Sequence, residues 1–325
     1  VNEFSDFFNP NRKELVDTFK SYVITRSNPT DKLNHLKSWL DKNGIEHRTS
    51  DETRSFRAFN YQNGLTDLIK VKKGDLVISS NQPKSILVHV LFEPNTFLED
   101  TMTYDITAWS IPYVYGLQAY ATKSTIKTTD SQRYFSKRDK LNSNPYAYIL
   151  PWGGIDDVRF LSEIYQHNIV ARVSVEPFEI KKKRFDRGTI ILTRKSNENL
   201  GDRFDDIIKK AANKFNRPIT SVESGFVSKG KDFGSSSMRV IRKPKIGIIS
   251  GNGVSSYSFG EVWHFFERQI EFPVSVIGSD YFSGIPKHNF DVIILPSGNH
   301  SYINNELRED LRIWVRSGGK LILMD

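Results

Sequence analysis

The chain has 325 residues, 38% of them hydrophobic and 26% charged, an ordinary composition for a globular protein of two or three domains. It carries no cysteine, which rules out disulfides, thiolate metal sites and a cysteine nucleophile within it, and it has no run of about 18 apolar residues that would cross a membrane as a helix. The net charge of +8 comes from 46 basic and 38 acidic residues that are interspersed, without the aromatic and basic alternation of a nucleic-acid platform, so no nucleic-acid partner is expected despite the basic run at 181–187.

In chain order, residues 1–80 read as a small α/β unit. Thr30 or Asp31 is the expected cap of a helix with Leu33, Leu36 and Leu40 on one face, and Gly44 stops it. "IEHRT" follows as a strand, and "DLIKVKKGDLVISS" reads as two strands paired about Lys73-Gly74. A second region, 81–242, opens with a helix bounded by Pro83 and Pro94. The aromatic stretch after it wraps a core. Its Asp100, Tyr104, Asp105 and Trp109 either meet another domain or fill the core and cap turns. Polar residues 124–144 form an excursion. An α/β rhythm then follows: strand "YAYILP", a glycine turn and helix, strands "IVARVSV" and "GTIILTR", and a helix with Phe204, Ile207, Ile208, Ala211 and Phe215 on one face.

The third region, 243–325, runs strand 245–250, helix 259–270, strands 273–278 and 291–295, helix 305–316 and strand 320–324. Apolar strands alternating with helices predict a parallel sheet covered on both faces. The expected fold is α/β, in two or three domains, with flavodoxin-like parallel sheets flanked by helices. "AYILPWGGIDD" and "IGIISGNGVSS" echo one another as strand and glycine turn, although any βαβ protein gives such an echo. The last residues, "GGKLILMD", stop on a core-like strand, so a segment of a longer protein is expected, with the third region truncated at its C-terminal end.

Three segments in order carry a resemblance: "LFEPNTFLEDTMTYDITAWSIPYVYGLQAYA", "PKIGIISGNGVSSYSFGEVWHFFE" and "DVIILPSGNH" with "LREDLRIWVRSGGKLI". Together they resemble the region after the catalytic domain in large zinc carboxypeptidases of the M14 family, of the Bacteroidetes type. The last of them is similar to a class I glutamine-amidotransferase-like, flavodoxin-like domain. The resemblance implies a peptidase domain upstream of residue 1 as partner, zinc in that domain and no cofactor in this segment, and export to the periplasm or beyond. It implies a non-catalytic accessory region that binds a small ligand or peptide or docks the peptidase domain. The alternative is a degenerate or truncated amidotransferase-like hydrolase whose nucleophile lies beyond residue 325.

The family binds zinc through an H-x-x-E pair and a distant histidine. Here the one H-x-x-E match is His264 to Glu267, inside a predicted helix, and His288 and His300 follow too closely to be the third ligand. The plainer reading is a polar stripe of Glu261, His264 and Glu267 with an internal ion pair. No metal ligand and no catalytic residue is therefore assigned. Gly251, Asn252 and Gly253 imitate the start of a dinucleotide fingerprint, with Asp280 as its acidic partner, but Ser256 stands where the third glycine belongs. Ser258 and Glu261 make a capping box that starts the helix near Phe259. Gly251, Asn252, Gly253, Ser255, Ser256 and Glu261 remain candidates for a crevice that takes a small anion. Ser297, Gly298 and Asn299 stand where amidotransferase-like relatives offer backbone N–H groups to an oxyanion. A free-standing sugar- or nucleotide-binding protein would need a preformed pocket between these two loops. Trp152, Gly153, Gly154 and Asp156, at the carboxyl end of a strand, are a second candidate pocket. The plainer reading there has Asp156 or Asp157 capping the helix with Trp152 packed over the turn.

Overall fold

The computed structural model describes residues 19–95, 110–130 and 139–324, which fall into two units, 1–136 and 137–325. Asp100, Tyr104, Asp105 and Trp109 lie outside the described residues. The first unit runs β1 (Ser21–Ile24), α1 (Thr30–Lys42), β2 (Arg48–Ser50), β3 (Arg54–Asn60), β4 (Thr66–Val71), β5 (Leu76–Ser79), α2 (Ser85–Phe92), α3 (Ile111–Val114), β6 (Ala119–Thr122) and β7 (Thr128–Asp130). Its strands form one antiparallel sheet in the order β4-β3-β6-β1-β5-β2-β7. Leu33, Leu36 and Leu40 bring α1 onto Tyr22, Ile24, Leu76 and Ile78 of that sheet, the face their spacing dictates. Pro29, rather than Thr30 or Asp31, holds the cap position, and Gly44 ends the helix at φ 65°, with Ile45 N–H donating back to the Leu40 carbonyl.

Two expectations for this region change. β4 and β5 are not a hairpin: Gly74 N–H donates to the Ser50 carbonyl, so the chain crosses to β2, and β5 enters the sheet between β1 and β2. The boundary set at residue 80 is also displaced, because β6 pairs with β1 and β3 and β7 pairs with β2.

The second unit begins with β8 (Ala147–Leu150), α4 (Ile155–Gln166), β9 (Ala171–Ser174), β10 (Phe178–Ile180), β11 (Lys183–Phe185), β12 (Ile190–Thr193), α5 (Arg203–Lys214), β13 (Thr220–Val222) and β14 (Met238–Ile241). The sheet order is β13-β8-β12-β9-β14 with every neighbouring pair antiparallel, so the parallel sheet expected for this region is replaced by an antiparallel one. Apolar strands misled because both faces are covered here too. Helices α4 and α5 pack on Tyr148, Leu150, Ile190 and Leu192, while the β10–β11 hairpin, Phe233 and Met238 cover Ala147, Ile149 and Ile191. Part of the basic run supplies the hairpin turn: Lys181 and Lys182 both take left-handed φ values, 51° and 59°, as a tight two-residue reversal requires.

One polar knot ties this sheet to α5. Arg194 donates to both carboxylate oxygens of Asp205, at 2.7 and 2.8 Å, and the Tyr148 hydroxyl donates to the same carboxylate at 2.6 Å. Burial pushes the Asp205 pKa up, but these donors outweigh it and hold the group below the usual carboxylate range. A depressed folded pKa stabilises above the unfolded value and is lost as pH falls through the folded one. Acid titration from about pH 5 downward is therefore expected to lower the unfolding midpoint of the wild-type chain more steeply than that of Asp205→Asn. Differential scanning calorimetry along that series checks it, and equal slopes would remove Asp205 as the cause.

The two sheets described so far are copies of one module. Strands β1, β2, β5 and β6 with α1 and α2 follow the order β-α-β-β-α-β, and in space they read fourth-first-third-second, the split βαβ topology of ferredoxin-like domains. Strands β8, β9, β12 and β13 with α4 and α5 repeat it, each copy adding a hairpin before its third strand and an edge strand (β7 or β14) beside its second. The hydrogen bonds repeat as well. Gly74 N–H donates to Ser50 O, and Gly188 N–H donates to Ser174 O, both at 2.8 Å and both with φ near 90° at the glycine. Gln82 clamps the backbone of Glu46 through both its N–H and its carbonyl, and Asn197 clamps Val170 the same way. "YVI…KGDLVIS" and "YIL…RGTIILT" are the matching segments. The echo noted between residues 147 and 250 in sequence thus pointed at the wrong pair.

The remaining strands are β15 (Ile246–Ser250), β16 (Ser275–Gly278), β17 (Val292–Leu295) and β18 (Lys320–Leu323), with α6 (Ser256–His264) and α7 (Asn305–Arg316). They form a parallel sheet in the order β16-β15-β17-β18, the flavodoxin-like arrangement expected for this region. Val262 of α6 packs with Ile246, Ile248 and Ile294, while Leu307, Leu311 and Trp314 of α7 pack with Ile249, Ile293 and Leu295, so alternate residues of each strand serve opposite faces. Helix α6 is shorter than predicted and runs into a π-helical turn, Phe265–Gln269, whose wider winding lets successive Phe265 and Phe266 both reach the core. Lys287 is 7% exposed, and its ammonium donates to the Phe282, Ser283 and Ile285 carbonyls, tying down the β16–β17 connection. Helix α4 serves two sheets: its Phe160 and Ile164 face the antiparallel one, while Tyr165 joins the Ile246 and Ile248 cluster. Ser162 and Gln166 donate to the Glu271 carbonyl, so residues 243–324 are packed onto the module before them.

Candidate functional site

In a 2-1-3-4 sheet the chain reverses its direction of growth between the first and third strands, and ligands of such folds bind beyond the carboxyl ends there. Here that point lies between β15 and β17, and the loops leaving them are 251–255 and 296–304. The structure brings Gly251, Asn252, Gly253, Ser255, Ser297, Gly298 and Asn299 to this one place. What it puts between them is main chain. Val254 and Gly298 form an antiparallel bridge, Ser255 N–H donates to Ser297 O at 2.7 Å, and His300 N–H donates to Gly253 O at 3.3 Å. The Ser258 hydroxyl accepts from Ser297 N–H at 3.0 Å, and so binds helix to loop rather than starting the helix.

The glycines are explained by that closure. A Cβ on Gly298 would lie 2.1 Å from the Gly253 carbonyl oxygen and 2.9 Å from Val254 Cα. Gly253 has φ 76°, and its Cβ would meet Asn299 Oδ1 at 3.1 Å; Gly251 has φ 100°, and its Cβ would meet the Ser279 hydroxyl at 3.2 Å. Glycine is required here by left-handed backbone and by loop-to-loop contact. The Asn299 amide oxygen accepts from Ser301 N–H, and His300, itself at φ 48°, has its Nδ1 2.8 Å from the Tyr302 hydroxyl. Burial pushes that phenol up to about 12, so it stays protonated.

Helix α6 begins at Ser256 rather than Phe259. Ser255 is its cap, accepting weakly from Ser258 N–H at 3.4 Å, and Glu261 points to solvent. Glu261, His264 and Glu267 are all exposed, and no ion pair among the described residues joins them. The π turn takes Glu267 out of register with His264. Asp280 and His288 are exposed on separate short turns. Among the described residues no three histidine, aspartate or glutamate side chains gather as a metal site would require.

Trp152, Gly153, Gly154 and Asp156 stand on the antiparallel sheet, at the carboxyl end of β8. Gly153 and Gly154 N–H groups both donate to Asp157 Oδ2 at 2.8 Å, and Arg217 Nε lies 2.7 Å from Asp157 Oδ1. An anion cradle made by a glycine turn is thus filled by the chain's own carboxylate. Asp156 pairs outward with Arg159 at 2.9 Å, and Trp152 is half-exposed, its Cβ near Gly188.

Sequence reasoning missed a third place. On the first unit a cavity of about 250 Å³ opens over β1, β5 and β2, with Ser21, Ser79, Glu46 and Arg48 on its walls. Aligning the two copies could have flagged it, since Ser21, Glu46 and Ser79 stand where the second copy has Ala147, Val170 and Thr193. Neither unit contains a helix among its described residues that is long and apolar enough to cross a membrane. Comparison of the chain with family models, with curated proteins and with solved structures gives no match.

Proposed function

We propose that the chain is a non-catalytic accessory region of an M14-like zinc metallocarboxypeptidase, exported with it, whose role is to bind a ligand or dock the peptidase domain. The observation that supports this reading is the closed switch point. Ser297 N–H, one of the groups an amidotransferase-like enzyme would offer an oxyanion, is already bonded to the Ser258 hydroxyl, and Ser255 N–H and His300 N–H tie the two loops together through carbonyls of the facing loop. A site filled by its own main chain keeps the shape of the fold and gives a substrate carbonyl nowhere to sit. Zinc, in this reading, belongs to the peptidase domain expected upstream.

The test is made on the 325-residue chain and on a separately expressed upstream peptidase domain. The chain alone is expected to take up no zinc in calorimetric titration, to release no C-terminal residue from peptides and to hydrolyse no glutamine. Immobilised, it is expected to retain the peptidase domain. Zinc uptake with cleavage by the chain alone sinks the proposal, and failure to retain the peptidase domain removes docking and leaves ligand binding as the role.

A further inference from the structure

The two copies of the ferredoxin-like module treat one surface in opposite ways. In the second copy Ala147 faces Thr193 across the sheet and Arg172 faces Ile191, and this surface is sealed by Phe178, Phe233 and Met238. Arg172 is used up in that seal, donating to the Met238 carbonyl at 3.2 Å. In the first copy the same positions are Ser21 facing Ser79 and Arg48 facing Val77. Here no aromatic side chain is among the described residues that line the surface, and a cavity of about 250 Å³ stands in place of the seal. The floor has changed from alanine to a buried serine, and the arginine has been released.

Its wall carries charge of both signs. Glu46, two residues before the start of β2, and Arg48, its first residue, both line the cavity. They do not pair with each other. The Arg48 side chain makes no hydrogen bond to another described residue, and its ionic neighbour is Asp130 at 3.8 Å, itself 96% exposed. The Glu46 backbone is held rigid by Gln82, which accepts from its N–H at 2.7 Å and donates to its carbonyl at 3.0 Å. Thr128 and Asn81 add further polar groups at the mouth.

We infer that this cavity is a binding site for a small zwitterion, a free amino acid or the paired ends of a very short peptide. Arg48 takes the carboxylate with its planar fork, Glu46 takes the ammonium, and the Ser21 and Ser79 hydroxyls hydrogen-bond the body of the ligand. The volume of about 250 Å³ falls just below the usual range of drug-sized ligand pockets, about 300–1,000 Å³, which limits the occupant to this size. The site lies within the first unit and does not depend on the accessory reading of the chain.

Calorimetric titration of the 325-residue chain with each standard amino acid tests it, followed by the N-acetyl and the amide derivative of the tightest binder. At least one amino acid is expected to bind with Kd below about 1 mM, with both derivatives and both variants, Arg48→Ala and Glu46→Gln, weakened by about tenfold or more. Both side chains are exposed, so the variants are expected to keep the wild-type thermal midpoint, which separates loss of binding from loss of fold. Binding by no amino acid overturns the proposal. So does unchanged affinity in Arg48→Ala, or an N-acetyl derivative that binds as tightly as the free amino acid.

Discussion

Asp157→Ala is expected to destabilise the second unit by about 3–5 kcal/mol, the usual loss when one partner of a buried ion pair is removed. Asp157 is fully buried and Arg217 is 7% exposed, so neither charge has water to fall back on. The substitution strands the guanidinium and also leaves Gly153 and Gly154 N–H groups without their shared acceptor. Arg217→Met is expected to cost less, because the carboxylate keeps both N–H donors. The double variant should be less destabilised than the sum of the singles, by a coupling of about 1–3 kcal/mol. Urea unfolding followed by tryptophan fluorescence reads the effect, since Trp152 adjoins the turn. Additive single costs would show that the two groups do not act together.

Gly298→Ala is the second large effect. Its Cβ would need the space of the Gly253 carbonyl oxygen, so the bridge between the two loops must part. Lost loop-to-loop hydrogen bonds and strained backbone together predict a destabilisation of about 2–4 kcal/mol. Gly260→Ala is the control. It lies within α6 with nothing within 4 Å of its Cβ, and it is expected to stabilise by up to about 1 kcal/mol through helix propensity alone. Hydrogen exchange at Ser255 and His300 amides reports the parting directly: protection should fall in Gly298→Ala and stay in Gly260→Ala. Unchanged protection in Gly298→Ala would mean that the loops accommodate a side chain without parting.

The helices were the legible part of the chain. Leu33, Leu36 and Leu40, and likewise Phe204, Ile208 and Ala211, repeat at helical spacing, and that local period survives folding. The strands of the parallel sheet were legible because "KIGIIS" and "DVIILP" are apolar nearly throughout. Strand neighbours were not. Nothing within "KVKKGDLVIS" says that the turn at Gly74 hands the chain to Ser50 rather than closing a hairpin, because the partner is over twenty residues away. Near-continuous apolar strands signal two covered faces, and an antiparallel sheet under helices on one side and a hairpin on the other meets that condition as well as a parallel one. At the candidate site, the glycines at 251, 253 and 298 could be picked out, but their purpose could not. A glycine that admits a ligand and a glycine that admits a neighbouring carbonyl look identical in one dimension. Asp157 posed the same problem. The turn it binds read as a possible pocket because its occupant comes from within the helix that follows.

The repeated module has a consequence for how the chain reaches its native state. Each copy is completed by a late strand, β6 or β13, that must find an edge beside the first strand of its own copy, and the other copy offers an edge of the same kind. Neighbouring repeats of like topology are prone to exchanging such strands while they fold. The copies differ most where that exchange would be felt. One inserts its hairpin into the sheet beside β6, and the other lays it across the face over Ala147 and Ile191. A strand in the wrong copy would therefore meet an occupied edge or an ill-fitting cover. Divergence between the copies thus works as proofreading during folding, and a chain evolved or engineered back toward two identical modules would be expected to refold with lower yield.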